Sequence, residues 1–128
     1  MSRGAFIVFE GADMVGKSTQ ARLSVQKLLK AGFNCELVVF PNRSTKIGEI
    51  IDKHLKNEFP CTKKQIHALF SANRWEMHNS MLEKINAGTT LILDRYSFSG
   101  VVYSISKVCI DKLFDFILVL IFFSVFRR

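Results

Sequence analysis

The stretch that decides the fold is Gly11-Ala-Asp-Met-Val-Gly-Lys-Ser-Thr19, which fits the pattern G-x-x-x-x-G-K-[ST]. In this pattern the two glycines let the backbone curl, so that successive N–H groups point inward at phosphate oxygens. Lys17 then reaches the β- and γ-phosphates of a nucleotide, and the Ser18 hydroxyl is placed to ligate Mg²⁺. The stretch predicts a phosphate-binding loop; the alternative is a glycine turn that carries an exposed lysine.

The sequence around this loop predicts alternating strands and helices. Apolar, β-prone runs at 5–10, 35–40 and 89–94 predict strands, whereas apolar residues at helical spacing predict helices near 17–30, 47–55 and 62–86. Thr62 and Gln65 match a capping box at the start of the longest helix. Such alternation favours a parallel sheet with helices on both faces. We therefore predict an α/β fold of the P-loop NTPase type, in three α/β/α layers.

Composition and charge narrow the classes of partner. The chain has 128 residues, 48% hydrophobic and 23% charged, which is typical of a globular domain rather than a disordered chain. Its formal net charge of +7, from 18 basic and 11 acidic residues, favours an anionic partner. The basic residues are scattered, with no run longer than two. We therefore predict no nucleic-acid surface, and we interpret most of the charge as dispersed over the surface.

The cysteines and the first residues of the chain indicate the cellular compartment in which the protein is expected. Cys35, Cys61 and Cys109 are odd in number and far apart, which disfavours a zinc site or a disulfide framework and favours free thiols. The first apolar stretch, 5–9, is too short for a signal peptide. We expect an intracellular, cytoplasmic protein, with the nucleus and the mitochondrion as alternatives.

A second feature, the acidic residue Asp94, supports the interpretation that the loop binds a nucleotide. Asp94 ends the third predicted strand, where a carboxylate for the metal of a P-loop protein is expected. Aspartate at the end of a strand is also a common turn former. Because the phosphate-binding loop and Asp94 both follow parallel strands, they leave the same edge of the sheet, which is where ligands bind in such folds. The pair therefore favours a metal or phosphate role for Asp94.

Four blocks of sequence together resemble the thymidylate kinase family. They are Glu10-Gly-Ala-Asp13 with Gly16-Lys-Ser-Thr19, Phe40-Pro-Asn-Arg-Ser-Thr45, Leu69-Phe-Ser-Ala-Asn-Arg-Trp-Glu76 and Asp94-Arg-Tyr-Ser-Phe-Ser-Gly100. The blocks follow family order and spacing, and the resemblance covers about residues 3–103. It implies a kinase that transfers the γ-phosphoryl of ATP to dTMP, giving dTDP for dTTP biosynthesis, with Mg²⁺. It also implies a homodimer.

The resemblance implies three sets of site residues. The ATP-binding loop comprises Gly11, Ala12, Asp13, Met14, Val15, Gly16, Lys17, Ser18 and Thr19. The catalytic residues are Asp13, Lys17 and Arg95, and the metal ligands are Ser18 and Asp94. The substrate-binding residues are Asp13, Arg43, Phe70, Arg74, Arg95, Ser99, Gly100 and Tyr103.

Each of these substrate-binding residues has an implied role. By resemblance, Asp13 approaches the 3′-hydroxyl of the deoxyribose, and Arg43 grips the acceptor phosphate with its bidentate guanidinium. Phe70 stacks on thymine and Arg74 hydrogen-bonds to the base, while Arg95 lies between the donor and acceptor phosphates. The other three positions lie near the nucleoside: Ser99, Gly100 and Tyr103.

The residues by themselves leave simpler interpretations open. Phe70 would fit a helix core, and Arg74, four residues on, would fit a snorkelling surface arginine. Arg43 would fit a solvated loop, and Glu10 could orient loop groups, contact the metal's water shell or simply end a strand. Trp75-Glu76 we assign to packing and solvation.

Two departures from the family are visible. Many members carry a basic residue after the acid of the phosphate-binding loop, and here that position is Met14. After about residue 106 the sequence stops following the family, and the lid segment has no counterpart. We therefore expect a truncated fold, with a kinase-like domain at 1–105 and a divergent apolar tail at 106–128. The alternative function is an impaired relative that binds nucleotide or a partner subunit without turnover.

The tail ends in an apolar run at 116–126 with a single serine. A membrane-spanning helix needs about 20 apolar residues, whereas runs of about 10–14 more often belong to buried elements. We predict a fourth core strand here, with an exposed tail as one alternative. Membrane contact is the least favoured alternative.

Overall fold

The computed structural model describes residues 2–11, 14 and 16–97, together with the backbone pairing of residues 122–123. The elements are β1 (Phe6–Phe9), α1 (Lys17–Lys30), β2 (Cys35–Val39), α2 (Lys46–Leu55), α3 (Lys63–Asn86), β3 (Thr90–Asp94) and β4 (Phe122–Phe123). The predicted strands and helices of 5–94 are present, with ends within about two residues of those expected. The predictions for Ala12, Asp13, Val15, Ser99, Gly100, Tyr103 and Cys109 lie outside the described residues.

The sheet has the strand order β2-β3-β1-β4. β3 pairs in parallel with both β1 and β2, and its last residue, Asp94, is in register with Phe9 and with Val39. This confirms the predicted parallel sheet for β1 to β3. β4 pairs antiparallel with β1 and lies within the apolar run for which a strand is predicted; the rest of that run lies outside the described residues.

Helices cover both faces of the sheet because β3 is apolar on both sides. Leu91, Ile92 and Leu93 are all fully buried, and successive residues of a strand point to opposite faces. Leu91 and Leu93 pack in a cluster with Met81 of α3, whereas Ile92 packs with Ala21 of α1. A continuous apolar strand, predicted from sequence, thus gives the three-layer α/β/α arrangement.

Local signals account for where the helices begin. Thr62 accepts a hydrogen bond from the Gln65 N–H through its hydroxyl, and the Gln65 side chain accepts one from the Thr62 N–H, so the predicted capping box starts α3. α1 starts differently: its N-cap is Gly16, in the left-handed region at φ 85°, with no side-chain cap. Glycine is the residue that adopts this conformation without strain.

No helix within the part of the chain that the structure describes is both long enough and apolar enough to cross a membrane.

Candidate active site

A cavity of about 500 Å³ opens at the carboxyl edge of the sheet, where β2 and β3 end and α1 begins. The phosphate-binding loop and α1 contribute Met14, Lys17 and Ser18 to its wall. The loop after β2 contributes Arg43, α3 contributes Phe70 and Arg74, and the end of β3 contributes Asp94 and Arg95. The four sequence blocks, far apart in the chain, therefore meet at one cavity. Gly11, Gly16 and Thr19 are not part of this wall.

Ser18 and Asp94, predicted to be the metal ligands, are in direct contact. The Ser18 Oγ donates a hydrogen bond to Asp94 Oδ2 at 2.5 Å. Asp94 is buried, and its other oxygen, Oδ1, has no hydrogen-bond partner among the described residues. A buried carboxylate oxygen without a partner is costly unless a cation or water satisfies it. A hydroxyl beside such a carboxylate oxygen is the hard oxygen donor set that Mg²⁺ takes, so these residues fit the predicted metal.

Lys17 is buried at the start of α1, with only 7% of its surface exposed. The first turn of α1 contains no acidic residue, so the positive end of the helix dipole adds to the charge of Lys17. Together these features favour a negatively charged ligand at this end of the cavity.

The turn after β3 is tied to the start of the phosphate-binding loop. Arg95 has a left-handed backbone at φ 69°, its N–H donates to the Phe9 carbonyl at 2.9 Å, and its Nη1 donates to the Gly11 carbonyl at 3.4 Å. Buried Glu10 accepts a hydrogen bond from the Tyr96 N–H at 2.7 Å. Glu10 therefore orients the turn that carries Arg95, which is one of the roles considered for it from sequence.

Arg43 lies on the loop after β2, which begins with a cis Phe40–Pro41 peptide bond. Its side chain is 58% exposed, and its Nη1 forms an ion pair with Asp52 Oδ1 at 2.9 Å. The other oxygen of Asp52 pairs with Lys56 Nζ at 2.6 Å. The hydrogen bond from Lys56, with the charges of Lys56 and Arg43, lowers the pKa of the Asp52 carboxyl. Arg43 thus lines the cavity and pairs with Asp52 of α2, while more than half of its side chain stays exposed.

Phe70 and Arg74 lie one turn apart on α3, and both line the cavity in a half-buried state. Phe70 belongs to neither of the two buried core clusters formed by the described residues. Burial lowers the pKa of the Arg74 guanidinium, with the nearby Tyr96 and Glu10 acting in the opposite direction. An apolar ring beside a partly desolvated donor group suits a planar, hydrogen-bonding ligand such as a nucleobase.

Asn73 is a site residue that the sequence analysis missed. It is fully buried on α3, and its amide hydrogen-bonds to Asn42 in the loop that carries Arg43. Glu76, for which the sequence predicts solvation, accepts hydrogen bonds from Thr45 Oγ1 at 2.8 Å and from Asn73 Nδ2 at 3.2 Å. Trp75 is 69% exposed, with its ring against His78. The usable signal for Asn73 was its position between Phe70 and Met77, at i+3 and i−4, on the inward face of α3.

Comparisons with known proteins agree with the four sequence blocks. The family model for thymidylate kinase matches residues 9–118. Human thymidylate kinase is 48% identical over 105 residues, which are 82% of this chain and 50% of that protein. The enzyme from Schizosaccharomyces pombe is 50% identical over 106 residues, 83% of this chain and 50% of that protein.

A solved structure agrees as well. The chain superposes on thymidylate kinase from Candida albicans with a TM-score of 0.74 and 42% identity, over 80% of this chain and 44% of the other. The chain spans about half the length of the curated relatives. Because the family model matches most of the residues and the fold agrees, the chain belongs to the thymidylate kinase family, with the P-loop NTPase fold.

Proposed function

We propose that this chain transfers the γ-phosphoryl of ATP to the 5′-phosphate of dTMP and gives dTDP and ADP. The observation that carries the proposal is the shared cavity. The cavity is lined by buried Lys17 and by the Ser18–Asp94 pair, which fits Mg²⁺. It is also lined by Arg43, the Phe70 ring and the Arg74 guanidinium, which suit a nucleoside monophosphate.

In this proposal Lys17 and the start of α1 hold the donor phosphates, with Ser18 and Asp94 holding Mg²⁺. The metal, when bound, neutralises charge on the phosphate oxygens. Arg43 grips the acceptor phosphate, and Arg95, fixed by Phe9 and Gly11, lies between donor and acceptor. The acceptor phosphate is already ionised at neutral pH, so no strong general base is needed. Catalysis is positioning and charge neutralisation.

The nucleoside end completes the proposed substrate site. Phe70 stacks on thymine, and Arg74 donates hydrogen bonds to the base from the same face of α3. The family resemblance implies four further contacts with the nucleoside, from Asp13, Ser99, Gly100 and Tyr103.

We also propose that the chain forms a homodimer, as the same resemblance implies. A cytoplasmic location is consistent with the free thiols of Cys35 and Cys61.

The test is turnover by the purified 128-residue chain. We expect dTDP, separated by chromatography, to form only when ATP, Mg²⁺ and dTMP are all present. Binding of both nucleotides without formation of dTDP would contradict the kinase proposal. That result would favour a nucleotide-binding relative without turnover, the function suggested by Met14 in place of a basic residue.

Arg74→Ala tests the base pocket. Hydrogen bonds to charged groups contribute about 1.5–3 kcal/mol, so we expect the Kd for dTMP to rise roughly 10–100-fold. The Kd for ATP should stay within about twofold, because Arg74 lies on α3, which packs against the opposite face of the sheet from α1. Isothermal titration calorimetry measures both constants, and Arg22→Ala, an exposed arginine of α1, is the control. Equal losses for the two nucleotides would rule out a base-reading role.

A further inference from the structure

The amide of Asn73 contacts both main-chain groups of one loop residue. Its Oδ1 accepts a hydrogen bond from the Asn42 N–H at 2.7 Å, and its Nδ2 donates to the Asn42 carbonyl at 2.9 Å. The same Nδ2 lies 3.2 Å from Thr45 Oγ1 and 3.2 Å from Glu76 Oε2. The Asn73 side chain is fully buried, where an amide needs partners for its hydrogen bonds. A buried polar network that is fully satisfied makes its surroundings rigid.

The loop is also fixed by hydrogen bonds of its own and by its packing against α2. The Asn42 Oδ1 accepts hydrogen bonds from the Ser44 N–H at 3.1 Å and the Ser44 Oγ at 2.7 Å, so the loop closes around Arg43. α2 approaches the same loop at Gly48, where an added Cβ would lie 1.8 Å from the Asn42 carbonyl oxygen. The backbone on both sides of Arg43 therefore has little freedom to shift.

The side chain of Arg43 is then directed by a separate contact. Its Nη1 pairs with Asp52 of α2. A guanidinium has five N–H donors in a rigid, planar arrangement, so this contact leaves others for an anion in the cavity. Asn73 thus holds the backbone of Asn42, next to Arg43, and Asp52 pairs with the Arg43 side chain.

We propose that Asn73 is a positioning residue that sets the distance between the base-binding face of α3 and the phosphate-binding Arg43. Phe70 and Arg74 lie on the same helix as Asn73, one turn or less away, so one rigid element carries the base contacts and also holds the loop. This fixed distance between α3 and the Arg43 loop would select a ligand whose base and phosphate are as far apart as in a nucleoside 5′-monophosphate. The inference rests on the proposed function for the identity of that ligand.

The binding test compares dTMP with thymidine, which lacks the phosphate. In Asn73→Leu, a change of similar volume, the loop loses its anchor and we expect the affinity for dTMP to fall at least about tenfold. The affinity for thymidine should stay within about twofold. Calorimetry on the full chain measures both constants. Asn79→Leu, an exposed asparagine of the same helix, is the matched control and should change neither.

Two milder variants, Glu76→Ala and Glu76→Gln, test the same inference if Asn73→Leu does not fold. Glu76 is exposed, and Glu76→Ala removes one acceptor of Asn73 and of Thr45. We expect a smaller loss, in dTMP affinity only, and we expect Glu76→Gln, which keeps an acceptor oxygen, to restore it. Equal weakening of dTMP and thymidine in these variants would indicate a merely structural role and overturn the inference.

Hydrogen exchange separates this inference from the proposed function. We expect the Asn42 amide of the unligated chain to be protected, and to exchange at least about tenfold faster in Asn73→Leu than in Asn79→Leu. Unchanged exchange in a folded Asn73→Leu would overturn the inference even if dTMP binds. If the wild-type chain binds neither dTMP nor thymidine, the proposed function fails, while the exchange rate still decides whether Asn73 holds the loop.

Discussion

Lys17→Ala is expected to lower kcat/KM for ATP by about 10³-fold, because it removes a preorganised charge from a site where charge develops on phosphate. The loss should be large because Lys17 is buried, where a charge is screened less than at the surface. The measurement is the rate of dTDP formation across a range of ATP concentrations, at saturating dTMP.

Lys27→Ala is the matched control, since Lys27 is an exposed lysine on the same helix. It should leave kcat/KM within about twofold of the wild-type value, as is usual for a surface substitution. If Lys17→Ala retained more than a tenth of the wild-type kcat/KM, the loop would not be the donor site. Thermal unfolding of each variant separates loss of the site from loss of the fold.

Asp94→Asn is the second large expected effect. The change keeps the size of the side chain and an oxygen that accepts the hydrogen bond from the Ser18 hydroxyl. It removes the negative charge of the carboxylate to which the buried Oδ1 belongs. We expect kcat to fall by about 10²-fold and the half-saturating Mg²⁺ concentration to rise, because a carboxylate is a much better ligand for a hard cation than an amide. The rate of dTDP formation across a series of Mg²⁺ concentrations measures both quantities.

Glu36→Gln serves as the control for Asp94. It also removes one carboxylate charge from the sheet, but Glu36 is exposed on β2 and pairs with Lys84. Its Mg²⁺ dependence should match the wild type. If Asp94→Asn also showed the wild-type dependence on Mg²⁺, the assignment of Asp94 to the metal would be wrong.

Local signals made much of the fold predictable. The capping box at Thr62 and the unbroken apolar run of β3 depend on residues close in the chain. The start of α1 at Lys17 needs only Gly16, which adopts the left-handed conformation before it. Interactions of this kind are read from spacing, because the residues that make them are neighbours in sequence.

The arrangement around Arg43 was not predictable in the same way. Asn73 and Asn42 are 31 residues apart, and nothing in either local pattern specifies the other as its partner. The pairing of Arg43 with Asp52 and the cis Phe40–Pro41 bond likewise depend on how the loop, α2 and α3 pack. A buried amide must find partners, but which partners it finds is decided by the packing of whole helices.

The sequence by itself determined the strands, the helices and a set of residues that meet at the cavity. It did so because those features need only short-range order and a recognisable set of side chains. The tertiary structure decided the strand order, the contact between Ser18 and Asp94 and the buried contact of Asn73 with the Arg43 loop. The physical reason is that hydrogen bonds in a water-excluded interior depend on distances that only the packed sheet and helices define.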